Sequence, residues 1–252
     1  MTIHKTNAIV LNRKDYRETS FLLSFYTSDF GKIYAQAKGA RRKADKFGTN
    51  FLPITYNKIV FYENKRSDLH IISQADLIEP FINIDKDIER YTYATYFLEL
   101  VSSGMPGGEK NTQVFNLVMK FLNLLNNEDK INNITQIFEV IFLNLSGFKP
   151  RLDSCVNCNN EILDKSKFSS AAGGLLCDKC FYADSNAKSL MPGTIATIKY
   201  IETIELDKIA SFKMVRSVGN ELSIILRTFI DFHIGEKFKA LDFLQKVRGL
   251  YV

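Results

Sequence analysis

Cys155–Cys180 reads CVNCNNEILDKSKFSSAAGGLLCDKC and holds all four cysteines of the chain, in two Cys-x-x-Cys pairs. Eighteen residues separate Cys158 from Cys177, a spacing that suits a four-thiolate zinc site. Zn²⁺ prefers four soft ligands in a tetrahedron, and two residues between cysteines let one tight turn aim both sulfurs at one ion. Gly173 and Gly174 precede the second pair and supply the backbone freedom such a knuckle needs. Two other readings compete. Disulfides require an oxidising compartment, and the opening MTIHKTNAIV has no charged-then-apolar signal segment. A redox dithiol ordinarily uses one such pair beside a βαβ unit. One structural Zn²⁺ per chain on Cys155, Cys158, Cys177 and Cys180 is therefore expected. A catalytic zinc is not, because four thiolates leave no position open for water. His4, His70 and His233 are all distant in sequence and are read as ordinary histidines.

Upstream of the knuckle the pattern is helical. Residues 85–103 carry an apolar stripe at Ile88, Tyr91, Tyr96, Leu100 and Val101, and Met105–Gly108 breaks it. A second stripe runs through Val114, Leu117, Val118, Phe121, Leu122 and Leu125. The third, Ile134 to Leu145, is the most apolar, and Gly147 and Pro150 end it. Downstream, Thr194–Ile204 reads as a short helix. Phe212, Val215, Leu222, Leu226 and Phe229 read as one face of a long helix reaching about His233. The knuckle thus interrupts a helical domain, and its simplest task is to close a long excursion with little core of its own.

The first third of the chain differs. TNAIVLN, SFLLSFYT, GKIYAQAK, TYNKIVFYE and LHIISQADL are short runs rich in β-branched and aromatic residues. Turn or charge signals at Arg13–Arg17, Asp29–Gly31, Gly39–Pro53 and Asn64–Asp68 separate them. Five strands in about 80 residues suit an OB-fold barrel, although the count alone fits other small barrels. The third run puts Ile33, Ala35 and Ala37 on one side and Lys32, Tyr34, Gln36 and Lys38 on the other. The expected architecture is α+β. A barrel over 1–80 is followed by a helical domain over 81–252, with the knuckle at 150–190.

Charge follows the same division. The chain carries +5 overall, and residues 1–80 hold 13 Lys and Arg against 8 Asp and Glu. Lys38, Arg41, Arg42, Lys43 and Lys46 place five cations in nine residues, followed by Phe47 and Phe51. Such a loop is suited to neutralising phosphates, with Lys32 and Tyr34 on the adjoining strand as further contacts. A solubilising loop is the alternative, and core packing is the expected role of the two phenylalanines. No apolar run approaches the ~20 residues of a membrane span, so a cytoplasmic protein with no membrane contact is expected. The chain contains no phosphate-binding Gly-rich motif, no Gly-x-Ser-x-Gly elbow and no His-Glu-x-x-His. A binding protein is favoured over an enzyme.

Several segments in order along the chain resemble the bacterial recombination mediator family RecO. They are AIVLNRKDYRETSFLLSFYTSDFGKIYAQAKGARR at 8–42, Phe51-Leu52-Pro53, FKPRLDSCVNC, KFSSAAGGLLCDKC and LRTFIDFHIGEKFKALDFL. The resemblance implies an N-terminal OB-fold and a helical C-terminal domain, with zinc in members that keep four cysteines, as this chain does. It implies binding of single- and double-stranded DNA, annealing of complementary strands, and help from RecR in loading RecA onto DNA coated by single-strand-binding protein. The acidic tail of that protein would dock on the helical domain. Lys38, Arg41 and Arg42 match the family's Lys-Gly-Ala-Arg stretch, with Lys43 and Lys46 extending it. An RNA-binding OB protein with a structural zinc knuckle is the alternative.

Overall fold

The computed structural model describes residues 2–42, 48–128, 133–162, 165–235 and 238–243. Lys43, Lys46 and Phe47 of the expected basic loop lie outside them. By compactness the chain forms two units, Met1–Asp129 with Phe238–Val252, and Lys130–Lys237. Strands give way to helices near residue 80, but compactness does not follow that change, since three helices after it belong with the strands.

In the first unit, β1 (Ile3–Tyr16), β2 (Ser20–Thr27), β3 (Gly31–Ala37), β4 (Tyr56–Tyr62) and β5 (Leu69–Glu79) close into a barrel. The order is β1-β2-β3-β5-β4, antiparallel throughout except for β3 with β5. This is an OB-fold. A bulge between Val10 and Asn12 bends β1, so its first half pairs with β4 and its second with β2. The interior alternates small and large residues. Ala35 and Ala37 on β3 leave room for the buried rings of Phe25, Phe51 and Phe61. Each such ring contributes about 2 kcal/mol by leaving water. Phe51 plugs the core as expected, edge-on to Phe21 and Phe25 at 6.5 Å.

Two expectations in this unit needed correction. No break falls at Arg13: β1 continues to Tyr16 and the turn takes Arg17–Thr19. Charges facing water do not interrupt a strand. Helices α1 (Ile82–Asp85), α2 (Ile88–Gly104) and α3 (Thr112–Asn127) follow, with Asp87 capping α2 and Asn111 capping α3. Ile88 is 55% exposed and Tyr91 39%, so neither belongs to the buried face of α2. Thr92, Tyr96, Phe97, Leu100 and Val101 supply it. Apolar residues are spread around α2, so periodicity could not choose its inner side.

The second unit contains α4 (Ile134–Leu145), the hairpin β6 (Ser166–Ser169) and β7 (Gly174–Cys177), α5 (Pro192–Ile201) and α6 (Arg216–His233). Phe212 and Val215 fall outside α6. Val215 caps it and is 70% exposed, and Phe212 stacks on Tyr200 at 5.4 Å. Leu222, Leu226 and Phe229 are buried as expected.

Candidate functional site

The four cysteines converge. Their sulfurs all lie within 4.8 Å of one another, with Cys158 and Cys177 at 3.7 Å. A divalent ion with metal–sulfur bonds of about 2.3 Å spaces its tetrahedral ligands about 3.8 Å apart, so the cluster could hold a metal ion. Local backbone explains the convergence. Asn159 adopts a left-handed φ of 62°, and its N–H donates to the Cys155 carbonyl, folding the first pair into a tight knuckle. Gly173 has a φ of 83°, and at Gly174 a Cβ would collide with the Arg151 carbonyl. That close approach lets the Leu175 N–H donate to Arg151 and the Val156 N–H donate to Leu175, joining the two knuckles.

Burial tends to raise the Cys155 thiol, but backbone N–H groups of Cys177, Cys158 and Asn157 outweigh it and bring it down to about 6. Cys177 is pushed up to about 12 by burial and by its neighbouring sulfurs. One thiolate forms readily and disfavours the next, an imbalance that a cation removes. The Asn157 amide donates to the Cys180 sulfur at 3.4 Å, a supporting contact that spacing alone does not reveal. Among the described residues, no histidine joins the cluster.

The basic residues lie at one end of the barrel. Lys38 and Arg42 are exposed, and Arg41 sits 3.5 Å from Asp15 while donating to the Arg17 carbonyl at 3.4 Å. The 3₁₀ turn Ala40–Arg42 is held against the β1–β2 turn by the Arg41 N–H, which donates to Thr19. After the basic loop, Asn50 donates to Ala75, and Asn57 donates to the Asn50 carbonyl, fastening the chain back to the barrel.

On β3 the expected alternation is present. Ile33, Ala35 and Ala37 are buried, and Tyr34 is 41% exposed. Lys32 is on the outer side but half-buried, and its ammonium donates to the Ser102 carbonyl at the end of α2. That cation is engaged within the protein because the α2–α3 connection lies over this part of the strand, whereas Lys38 and Arg42 are exposed.

Both halves of the chain have counterparts among known proteins. Residues 1–81 match the family described as Recombination protein O N terminal, and residues 85–242 match Recombination protein O C terminal. The chain belongs to the RecO family. It is 32% identical over 245 residues to the DNA repair protein RecO of Alkaliphilus metalliredigens, covering 96% of this chain and 99% of that relative. RecO of Desulforamulus reducens is 31% identical over 251 residues, covering 98% and 96%. RecO of Caldicellulosiruptor bescii is 30% identical over 248 residues, covering 98% and 100%. Among the described residues of this RecO-family chain, no helix is long and apolar enough to cross a membrane.

Sequence reasoning passes over Arg13, Lys14 and Arg17. They stand some 20 residues before the basic loop, where their charge reads as a strand break. Pairing of β1 with β2 brings them to the same end of the barrel. The Arg13 guanidinium lies 4.7 Å over the Phe21 ring, and that of Arg17 lies 5.2 Å over Tyr16. A hairpin built from charge-bearing strand residues was the available signal.

Proposed function

We propose that this RecO-family chain is a DNA repair and recombination mediator without bond-making activity. It binds single- and double-stranded DNA and anneals complementary strands. With RecR it helps load RecA onto DNA coated by single-strand-binding protein. The observation that carries this reading is the coincidence of family membership along both halves with exposed cations at one end of an OB barrel. Lys38, Arg41 and Arg42, extended by Lys43 and Lys46, would neutralise phosphates. Cations there lower the repulsion between two backbones, so complementary bases can meet. Tyr34 offers an exposed ring for a base.

Residues 1–80 form the DNA-binding part in this reading, and residues 81–252 the helical part that meets protein partners, including the acidic tail of single-strand-binding protein. Cys155, Cys158, Cys177 and Cys180 would hold one structural Zn²⁺, which supplies a cross-link between the two knuckles and no reactive position. Work on chromosomal DNA puts the protein in the cytoplasm at the nucleoid. The deciding experiment measures annealing of complementary strands already coated with single-strand-binding protein. Acceleration by this chain, outcompeted by DNA better than by matched RNA, is expected. No acceleration, or preference for RNA, would reject the reading.

A further inference from the structure

The four sulfurs of the knuckles are alike as zinc ligands but not in their surroundings. Asn157, Asn159, Asn160 and Glu161 are polar and exposed, and they leave Cys158 exposed among them. Cys155, Cys177 and Cys180 are buried. Hydrogen bonds separate the sulfurs further. Cys155 accepts from the backbone N–H groups of Cys177, Cys158 and Asn157, and Cys180 accepts from the Asn157 amide. Cys158 and Cys177 face each other at 3.7 Å, where the two knuckles meet. A disulfide needs about 2.05 Å between its sulfurs, so a small movement of the exposed side chain closes the gap.

The knuckles have little else to hold them. Their buried cluster is Cys155, Leu176, Cys177, Cys180 and Ala187, so the ligands themselves make up most of that core. β7 ends at Cys177, and the β6–β7 hairpin is fastened to α6 through Ser170 and Phe168. A change at the sulfurs therefore reaches the packing of the hairpin on α6.

We infer that the cysteine cluster is a peroxide-sensitive switch, in which Cys158 is oxidised first and closes a disulfide with Cys177. The inference rests on the reading that the four thiolates hold zinc. The Cys158 thiolate attacks one oxygen of hydrogen peroxide. An S–O bond forms as the O–O bond breaks, and hydroxide leaves. The Cys177 thiolate then attacks the sulfenic sulfur. The S–S bond forms, the S–O bond breaks, and a second hydroxide leaves. The two sulfurs give up two electrons, and the peroxide takes them. Cys155 and Cys180 alone cannot complete a tetrahedron, so the site gives up its ion and the hairpin loosens. A dithiol reductant with added zinc reverses the change.

The test adds hydrogen peroxide to the full, zinc-loaded chain. A chromogenic chelator follows zinc release, and alkylation with peptide mass mapping identifies the paired thiols. The expected result is zinc release with a Cys158–Cys177 disulfide and a lower melting midpoint, both reversed by reduction with added zinc. Cys158→His keeps a zinc ligand without the exposed thiol. It should release zinc about ten-fold more slowly, since oxidation follows thiolate exposure. Zinc that stays bound, a disulfide between any other pair, or an unchanged midpoint after oxidation would overturn the inference. So would a Cys158→His chain that loses zinc as fast as the parent. Should that variant fail to fold, the mapping on the parent chain decides alone. A chain that purifies without zinc and takes up none would reject the zinc reading, and this inference with it.

Discussion

His233 donates from Nε2 to the carbonyl oxygen of Ser170 across 2.8 Å, joining the last residue of α6 to the turn between β6 and β7. Its ring lies 4.2 Å from that of Phe229, and Phe229 in turn faces Phe168 of β6 at 5.9 Å. The hairpin whose far end is Cys177 is thus fastened to a long helix. His233→Ala should lower the stability of this unit by about 1 kcal/mol, the net worth of one hydrogen bond, together with some packing. Urea unfolding followed by circular dichroism measures it, and an unchanged midpoint would show that the contact stabilises nothing.

The cysteine cluster should bind one zinc per chain through four thiolates and no histidine. Cys177→Ser should abolish stoichiometric zinc and destabilise the 150–190 segment. DNA binding through the barrel should weaken less. Elemental analysis of the purified chain, paired with a melt after chelation, decides this. A metal-free chain that melts like the parent would remove the claim.

Replacing Arg41, Arg42 and Lys43 together by Ala should weaken DNA binding whatever the base sequence. Each phosphate left without its cation should flatten the single-strand salt slope by about 0.7. A titration in which affinity and slope both stay put would assign the loop to solubility.

Tyr34→Ala should cost about 1–3 kcal/mol of single-strand affinity and less of duplex affinity, since stacking needs an unpaired base. Tyr34→Phe should retain most of it, because the ring does the stacking. Equal losses on both substrates would mark Tyr34 as a packing residue.

Acid should loosen the hairpin through Asp184. The Ser169 hydroxyl and then the Asn186 N–H donate to this carboxylate and hold it below the usual carboxylate range. A depressed folded-state value means the contribution is present above the unfolded value, near ~4, and is lost as pH falls through the folded one. Asp184→Asn should therefore destabilise the protein at neutral pH and shrink the difference from the parent at low pH. Melts across that range check it, and a difference that grows on acidification would contradict it.

What could be read from the chain alone was what neighbours in sequence decide. Two Cys-x-x-Cys turns are local geometry, so spacing alone picks out the four residues whose sulfurs lie within 4.8 Å of one another. The inward and outward faces of β3 follow from alternation, which is a property of one strand. The inner side of α2 was not legible, because its apolar residues surround it and only packing selects Tyr96 and Leu100 over Ile88. The fate of each cation was not legible either. Lys32 and Lys38 look alike in sequence, yet one donates to Ser102, 70 residues away, and the other faces water. Lys14 joins the outer side that carries Tyr34 only because β1 and β3 both pair with β2. His233 meets Ser170 across 63 residues in the same way. Propensity and ligand spacing act over a few residues, whereas the surroundings of a charge depend on which distant segment the closed barrel or the packed helix brings over it.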